Sequence, residues 1–118
     1  MARLVIKCTW GVERPEALFQ AFTVAATAAS AGNQVSLWLT GEAVWHAVAA
    51  EPDAQLDYSP NLSVLRDAVV ASGTITVCAQ CAARRDLTDA DLVPGARIAG
   101  AAAFVEEATD PAATALVY

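Results

Sequence analysis

The sequence is poor in charged residues, and basic residues are the scarcer kind. Only 17% of its 118 residues are charged, and 13 acidic against 7 basic side chains give a net charge of −6 at pH 7. A protein that binds nucleic acids or anionic membranes needs a basic surface. The composition therefore disfavours binding to polyanions, while a hydrophobic content of 56% argues against disorder.

The sequence also lacks a long apolar run. Its best candidate, residues 17–31, is shorter than the roughly 20 residues that a spanning helix needs, and it contains Gln20, Thr23, Thr27 and Ser30. The first residues are not followed by a signal-peptide core and cleavage site. We therefore expect a cytoplasmic chain that does not enter a membrane.

Several site patterns are missing as well. Three cysteines, an odd number, do not suggest a secreted disulfide framework. Cys78 and Cys81 would be half of a zinc site, but no second pair is present, and Cys8 and His46 would have to complete it. We therefore expect no metal. Phosphate-binding loops, dinucleotide-binding glycine patterns and a nucleophile elbow are also absent.

The sequence does contain a regular alternation of apolar runs and helical patterns. Strands are predicted at 4–8, 35–40, 74–78, 96–99 and 114–118. Helices are predicted at 15–31, 42–49, 62–71, 79–85 and 101–108, and the polar stretch 51–61 is predicted to be a surface loop. This alternation predicts a parallel sheet covered by helices within one domain, 1–118.

Ligands of such sheets bind beyond the carboxyl ends of the strands. The segments 9–14, 41–44 and 78–81 all follow predicted strands. They are therefore expected at one edge of the sheet. The candidates for substrate binding at this edge and in the adjoining basic segment are Thr9, Trp10, Glu13, Glu42, Arg84 and Arg85.

The sharpest local signal is the sequence Cys78-Ala79-Gln80-Cys81. Cys78 ends a predicted strand and begins a helix, where free amides and the helix dipole stabilise a thiolate. Arg84 and Arg85 add positive charge nearby. Cys78 is therefore a candidate nucleophile, and Cys81, three residues later, a candidate partner that resolves its oxidised form. The alternative is that both are small core residues.

The other candidates also have two interpretations. Cys8 ends the first strand and is expected to be shielded in the sheet, with its thiol pKa raised. His46 is the only histidine and is either a base or oxyanion donor, or a surface or packing residue. Glu13 and Glu42 are either functional or merely favourable at helix starts. Trp10 borders the site or a subunit contact.

In this order and spacing, the chain resembles the DsrE/DsrF-like family of small sulfur-relay proteins over nearly its whole length. The stretch 31–44 is similar to the family pattern G-x-x-V-x-x-φ-L-x-G-x-x-V, in which φ is apolar. Val77 and Cys78, followed by 82–85, look like its cysteine loop, and 87–95 looks like the segment that comes after it.

The resemblance implies a three-layer α/β/α sandwich with a mostly parallel five-stranded sheet, assembled as a homotrimer or homohexamer. It also implies that Cys78 carries sulfur as a persulfide between a donor and an acceptor protein, without a cofactor. Asp86 stands where the family often has glycine, which matters little because aspartate tolerates a left-handed helix end.

Cys81 is a departure from the sulfur-carrier pattern. Three functions therefore stay open: a sulfur carrier, a dithiol redox protein that uses Cys78 and Cys81, and a non-catalytic oligomeric binding domain. The sequence does not decide whether the chain is an enzyme.

Overall fold

The computed structural model describes residues 2–118. Its strands are β1 (Arg3–Cys8), β2 (Gln34–Leu39), β3 (Thr74–Cys78), β4 (Ala96–Ala99) and β5 (Ala113–Val117). Its α-helices are α1 (Pro15–Ser30), α2 (Leu62–Ser72), α3 (Ala79–Arg84) and α4 (Ala101–Ala108). The strands form one five-stranded sheet in the order β4-β3-β2-β1-β5, and every neighbouring pair is parallel. The predicted α/β fold is thus confirmed.

The main core lies between the sheet and the helices α1 and α2. Side chains of successive strand residues point to opposite faces. On β2, Leu37 and Leu39 join the hydrophobic core with Leu18 and Phe22 of α1 and Val69 of α2. Helix α1 begins with Pro15, whose missing N–H costs nothing in the first turn.

The opposite face of the sheet is covered by the short helix α4 and has a polar centre. Phe104 of α4 packs edge-on against the buried Trp38, with ring centroids 5.4 Å apart. The Glu107 carboxylate accepts hydrogen bonds from Ser36, Trp38 and Arg97. None of the residues of α4 is buried, so this helix covers its face of the sheet only partly.

The segment after β2 differs from the prediction. A single α-helix was expected over 42–49, but the structure has a 3-10 helix over Gly41–Ala47. The helix ends early because Val48 is extended and forms an antiparallel bridge with Leu92. The stretch 51–61 contains no regular helix or strand, as predicted. Among residues 2–118, every helix is too short or too polar to span a bilayer.

Candidate functional site

The loops that follow β1 and β2 meet at the carboxyl edge of the sheet. The Thr40 amide donates to the Cys8 carbonyl over 3.0 Å. A Cβ atom at Gly11 would lie 2.9 Å from the Glu42 carbonyl oxygen, so only glycine allows the two loops to approach this closely. The juxtaposition expected from the strand ends is present in the structure.

Cys78 lies at the junction between β3 and α3 and is the one cysteine of the three that is not buried. Partial burial alone would raise the pKa of its thiol. The nearby amides of Cys81 and Gln80, the Cys81 thiol and the charge of Arg84 outweigh this effect and lower the pKa of Cys78 below its ordinary value. A lower pKa means a larger thiolate fraction at neutral pH, which favours nucleophilic chemistry.

Cys81 is buried one turn into α3, with 9% of its surface exposed. Its sulfur accepts a hydrogen bond from the Gly41 amide over 3.3 Å and lies 3.9 Å from Nη1 of Arg84. The hydrogen bond from Gly41 ties the cysteine loop to the end of β2. Sequence reasoning did not assign Gly41 a role, although a glycine directly after a strand was a visible signal.

Glu42 and Arg85 form an ion pair that joins the 3-10 helix to the end of α3. Nη2 of Arg85 lies 2.9 Å from Oε2 of Glu42, and its Nε lies 3.0 Å from the same oxygen. Nη1 of Arg85 also donates to the Cys81 carbonyl. These hydrogen bonds from Arg85 hold the pKa of Glu42 below its ordinary value. Arg85 is therefore engaged with Glu42 and the backbone, whereas Arg84 supplies the charge near Cys78.

The loop after β1 contains the remaining candidates, Thr9, Trp10 and Glu13. The Thr9 hydroxyl donates to the Tyr118 carbonyl. Trp10 is 39% exposed, and the Arg14 guanidinium stacks on its ring at 4.6 Å. Glu13 accepts a hydrogen bond from the Gly11 amide over 2.6 Å. Trp10 therefore offers part of a large aromatic surface to an incoming molecule.

Cys8 and His46 are both buried. Burial raises the pKa of the Cys8 thiol, which donates to the Trp10 carbonyl, so this cysteine is shielded as expected. His46 is 7% exposed and thus a buried residue, not a surface one. Within the part of the chain that the structure describes, no three histidine, cysteine or acidic side chains are placed to hold a metal ion.

The fold and this edge define a class: small α/β proteins with a partly exposed thiol at the carboxyl end of a parallel sheet. The sequence model of the DsrE/DsrF-like family matches residues 3–116. The chain therefore belongs to the DsrE/DsrF-like family. The search of curated proteins found no match.

Two solved structures share the fold over the full length of both chains. The ychN protein from E. coli superimposes with a TM-score of 0.83 at 16% sequence identity, covering 100% of each chain. The MTH1491 protein from Methanobacterium thermoautotrophicum, described as a protein of unknown function, superimposes with a TM-score of 0.76 at 7% identity, again over 100% of each chain. At these identities the likeness concerns the fold alone.

Proposed function

We propose that the chain is a sulfur-relay protein in which Cys78 carries sulfane sulfur as a persulfide between two partner proteins. The observation that carries the proposal is the partly exposed Cys78 thiol, whose pKa is lowered by the amides at the start of α3. Membership of the DsrE/DsrF-like family supports it. A relay that depends on free thiols suits the reducing cytoplasm.

The transfer balances without an oxidant or a cofactor. The Cys78 thiolate attacks the outer sulfur of a donor persulfide, the bond between the two donor sulfurs breaks, and the donor leaves as a thiolate. Cys78 then holds the sulfur as a persulfide. An acceptor thiolate removes it in the same way and regenerates the Cys78 thiolate.

The surrounding candidates have supporting roles in this proposal. Arg84 favours the thiolate through its charge, and the pair of Glu42 with Arg85 holds the cysteine loop in place. Trp10, exposed on the loop after β1, provides a contact for the donor or the acceptor. Thr9 and Glu13 fix that loop through their hydrogen bonds.

The second candidate function is a dithiol redox protein. It is favoured by the placement of Cys78 at the start of α3 and of Cys81 one turn further along the same helix, where the Cys81 thiol helps to lower the pKa of Cys78. Cys78 would attack a substrate disulfide, and Cys81 would then attack the mixed disulfide. The substrate would leave as two thiols, and the two electrons would come from formation of the Cys78–Cys81 disulfide.

The third candidate is a non-catalytic oligomeric binding domain. It draws support from the partial cover over the second face of the sheet, where Val105 and Val117 are 54% and 66% exposed. We propose a homotrimer or homohexamer for all three functions, since a partner copy would cover such a face. Sedimentation of a stable monomer at micromolar concentration would contradict this assembly.

Intact mass spectrometry separates the three functions. After incubation with a low-molecular-weight persulfide, a sulfur carrier gains about 32 Da, the mass of one sulfur atom, and Cys78→Ser does not. A dithiol protein loses about 2 Da on mild oxidation, and both Cys78→Ser and Cys81→Ser abolish this loss. No change under either treatment identifies the binding domain.

A further inference from the structure

An acidic cleft of about 530 Å³ lies beside the 3-10 helix and the loop after β1. Its walls include the acidic residues Glu13, Glu42 and Glu51 together with Trp45 and His46. This volume is in the range of small-molecule sites. None of the steps proposed for Cys78 uses Trp45, His46 or Glu51.

The carboxylates of the cleft keep unused hydrogen-bonding capacity. Oε2 of Glu42 accepts the bonds from Arg85 and Trp45, while its Oε1 accepts none from residues 2–118. Oε1 of Glu13 accepts the Gly11 amide, and its Oε2 likewise has no donor within that range. Arg85 neutralises one of the three negative charges, so the cleft remains acidic.

His46 is the buried polar group of the cleft. It is 93% buried and makes no side-chain hydrogen bond with residues 2–118. It also lines a second, smaller cavity of about 220 Å³, together with Asp53 and Arg66. Burial lowers the pKa of His46, and Arg66 adds to this effect against the opposing charges of Glu13, Asp53 and Glu42. The lowered pKa favours the neutral imidazole, in which one ring nitrogen can accept a hydrogen bond.

The kind of ligand follows from the charge and the chemistry of these groups. The acidic and histidine side chains are not close enough together, among the described residues, to hold a metal ion. Separated carboxylates suit an extended planar cation with several N–H donors, which is the geometry of a guanidinium group. A guanidinium also stacks favourably on an indole such as Trp45.

We propose that this cleft binds a small organic cation through a guanidinium group, with Glu13 and Glu51 as charge partners, Trp45 as the stacking surface and His46 as a hydrogen-bond acceptor. The proposed contacts with this cation do not involve the Cys78 thiol. Cys78→Ser therefore retains the site even if the proposed relay function fails.

The test uses butylguanidinium as the probe and the uncharged, similarly shaped butylurea as its control. In an NMR titration at pH 7, butylguanidinium should shift the Trp45 indole N–H and the His46 imidazole signals, and butylurea should not. Glu51→Gln should weaken the apparent affinity at least threefold. Glu106→Gln, which makes the same charge change on the exposed surface of α4, should leave it unchanged.

Two further variants complete the test. His46→Gln should also weaken binding, while Cys78→Ser should bind like the wild type. The proposal is overturned if no signal of the cleft responds to butylguanidinium, if butylurea produces the same shifts, or if Glu51→Gln and Glu106→Gln have equal effects. Equal effects would mean that only the net charge of the protein attracts the probe.

Discussion

The Gly41 amide donates a hydrogen bond to the Cys81 sulfur over 3.3 Å, and this bond spans 40 positions in the sequence. Gly41 has a φ of 54°, which lies in the left-handed region. A Cβ atom there would approach the Thr9 carbonyl oxygen to 3.0 Å. The position of the cysteine loop thus depends on a residue without a side chain at the end of the neighbouring strand.

Gly41→Ala should therefore change the reactivity of the site as well as the stability of the fold. The left-handed backbone alone costs an alanine about 1 kcal/mol. Displacing the Gly41 amide should also loosen the cysteine loop and lower the alkylation rate of Cys78 at least twofold. Gly32→Ala is the matched control, because Gly32 has a φ of 89° and open space around it. Equal alkylation rates in the two variants would contradict this dependence.

Cys78 should be the first thiol to react with iodoacetamide near neutral pH. Its pKa is lowered, so its rate should level off at a lower pH than that of an ordinary cysteine, whereas the buried Cys8, with a raised pKa, should react last. Cys78→Ser should remove the fast phase, and Cys81→Ser and Cys8→Ala should largely keep it. Peptide mapping after partial labelling checks the order. Faster labelling of Cys8 or Cys81 in the wild type would refute the site assignment.

The ion pair between Glu42 and Arg85 should make stability depend on pH in the acidic range. The pKa of Glu42 is depressed in the folded protein, so its contribution is full above the unfolded-state pKa and is lost as the pH falls through the folded-state value. Because Glu42 is half exposed, we expect at most about 1 kcal/mol at pH 7.

Urea unfolding of the wild type and of Glu42→Gln measures this contribution. The difference between their free energies of unfolding should be largest at neutral pH and should approach zero in acid. Glu106→Gln serves as the control for removal of an exposed carboxylate. A difference between the wild type and Glu42→Gln that is constant with pH would rule out the ion pair as its cause.

Glu107→Ala should destabilise the protein by about 2 kcal/mol, because it leaves the indole N–H of the buried Trp38 without its acceptor. The same change also removes the acceptor of Ser36 and Arg97. Chemical denaturation should show a lower midpoint with an unchanged slope. Glu106→Ala, at the exposed neighbouring position, should cost less than about 0.5 kcal/mol. Similar losses for both variants would contradict the role of Glu107.

The sequence was sufficient to predict the five parallel strands, though not their order, and the place of Cys78 at the end of one of them. The β-branched run that ends in Cys78 gave β3 with the same bounds, and Asp86 has the left-handed backbone expected of it, with a φ of 54°. These features follow from local preferences of a few adjacent residues. The end of the 3-10 helix after β2 does not follow from such local preferences, because Val48 forms a bridge with Leu92, 44 positions away.

Side-chain partners were the least predictable part of the site. Glu42 and Arg85 were both candidates, but nothing local indicates that they bind each other across 43 positions. The burial of His46 depends on how the stretch 51–61 folds over the 3-10 helix, and that stretch has no periodic pattern. The hydrogen bonds of Glu107 with Ser36 and Trp38 join residues 71 and 69 positions apart.

The placement of β5 at the edge of the sheet predicts that this strand opens locally before the central strands do. This edge strand pairs only with β1 and follows a helix without a buried residue, so its amides should exchange hydrogen for deuterium before those of the central strands. The Tyr118 carbonyl, just beyond β5, accepts hydrogen bonds from both the amide and the hydroxyl of Thr9. Each local opening of the C-terminal strand would therefore also release the loop that carries Trp10 and Glu13. Because Glu13 lines the acidic cleft, opening at this edge of the sheet would change the shape of the cleft.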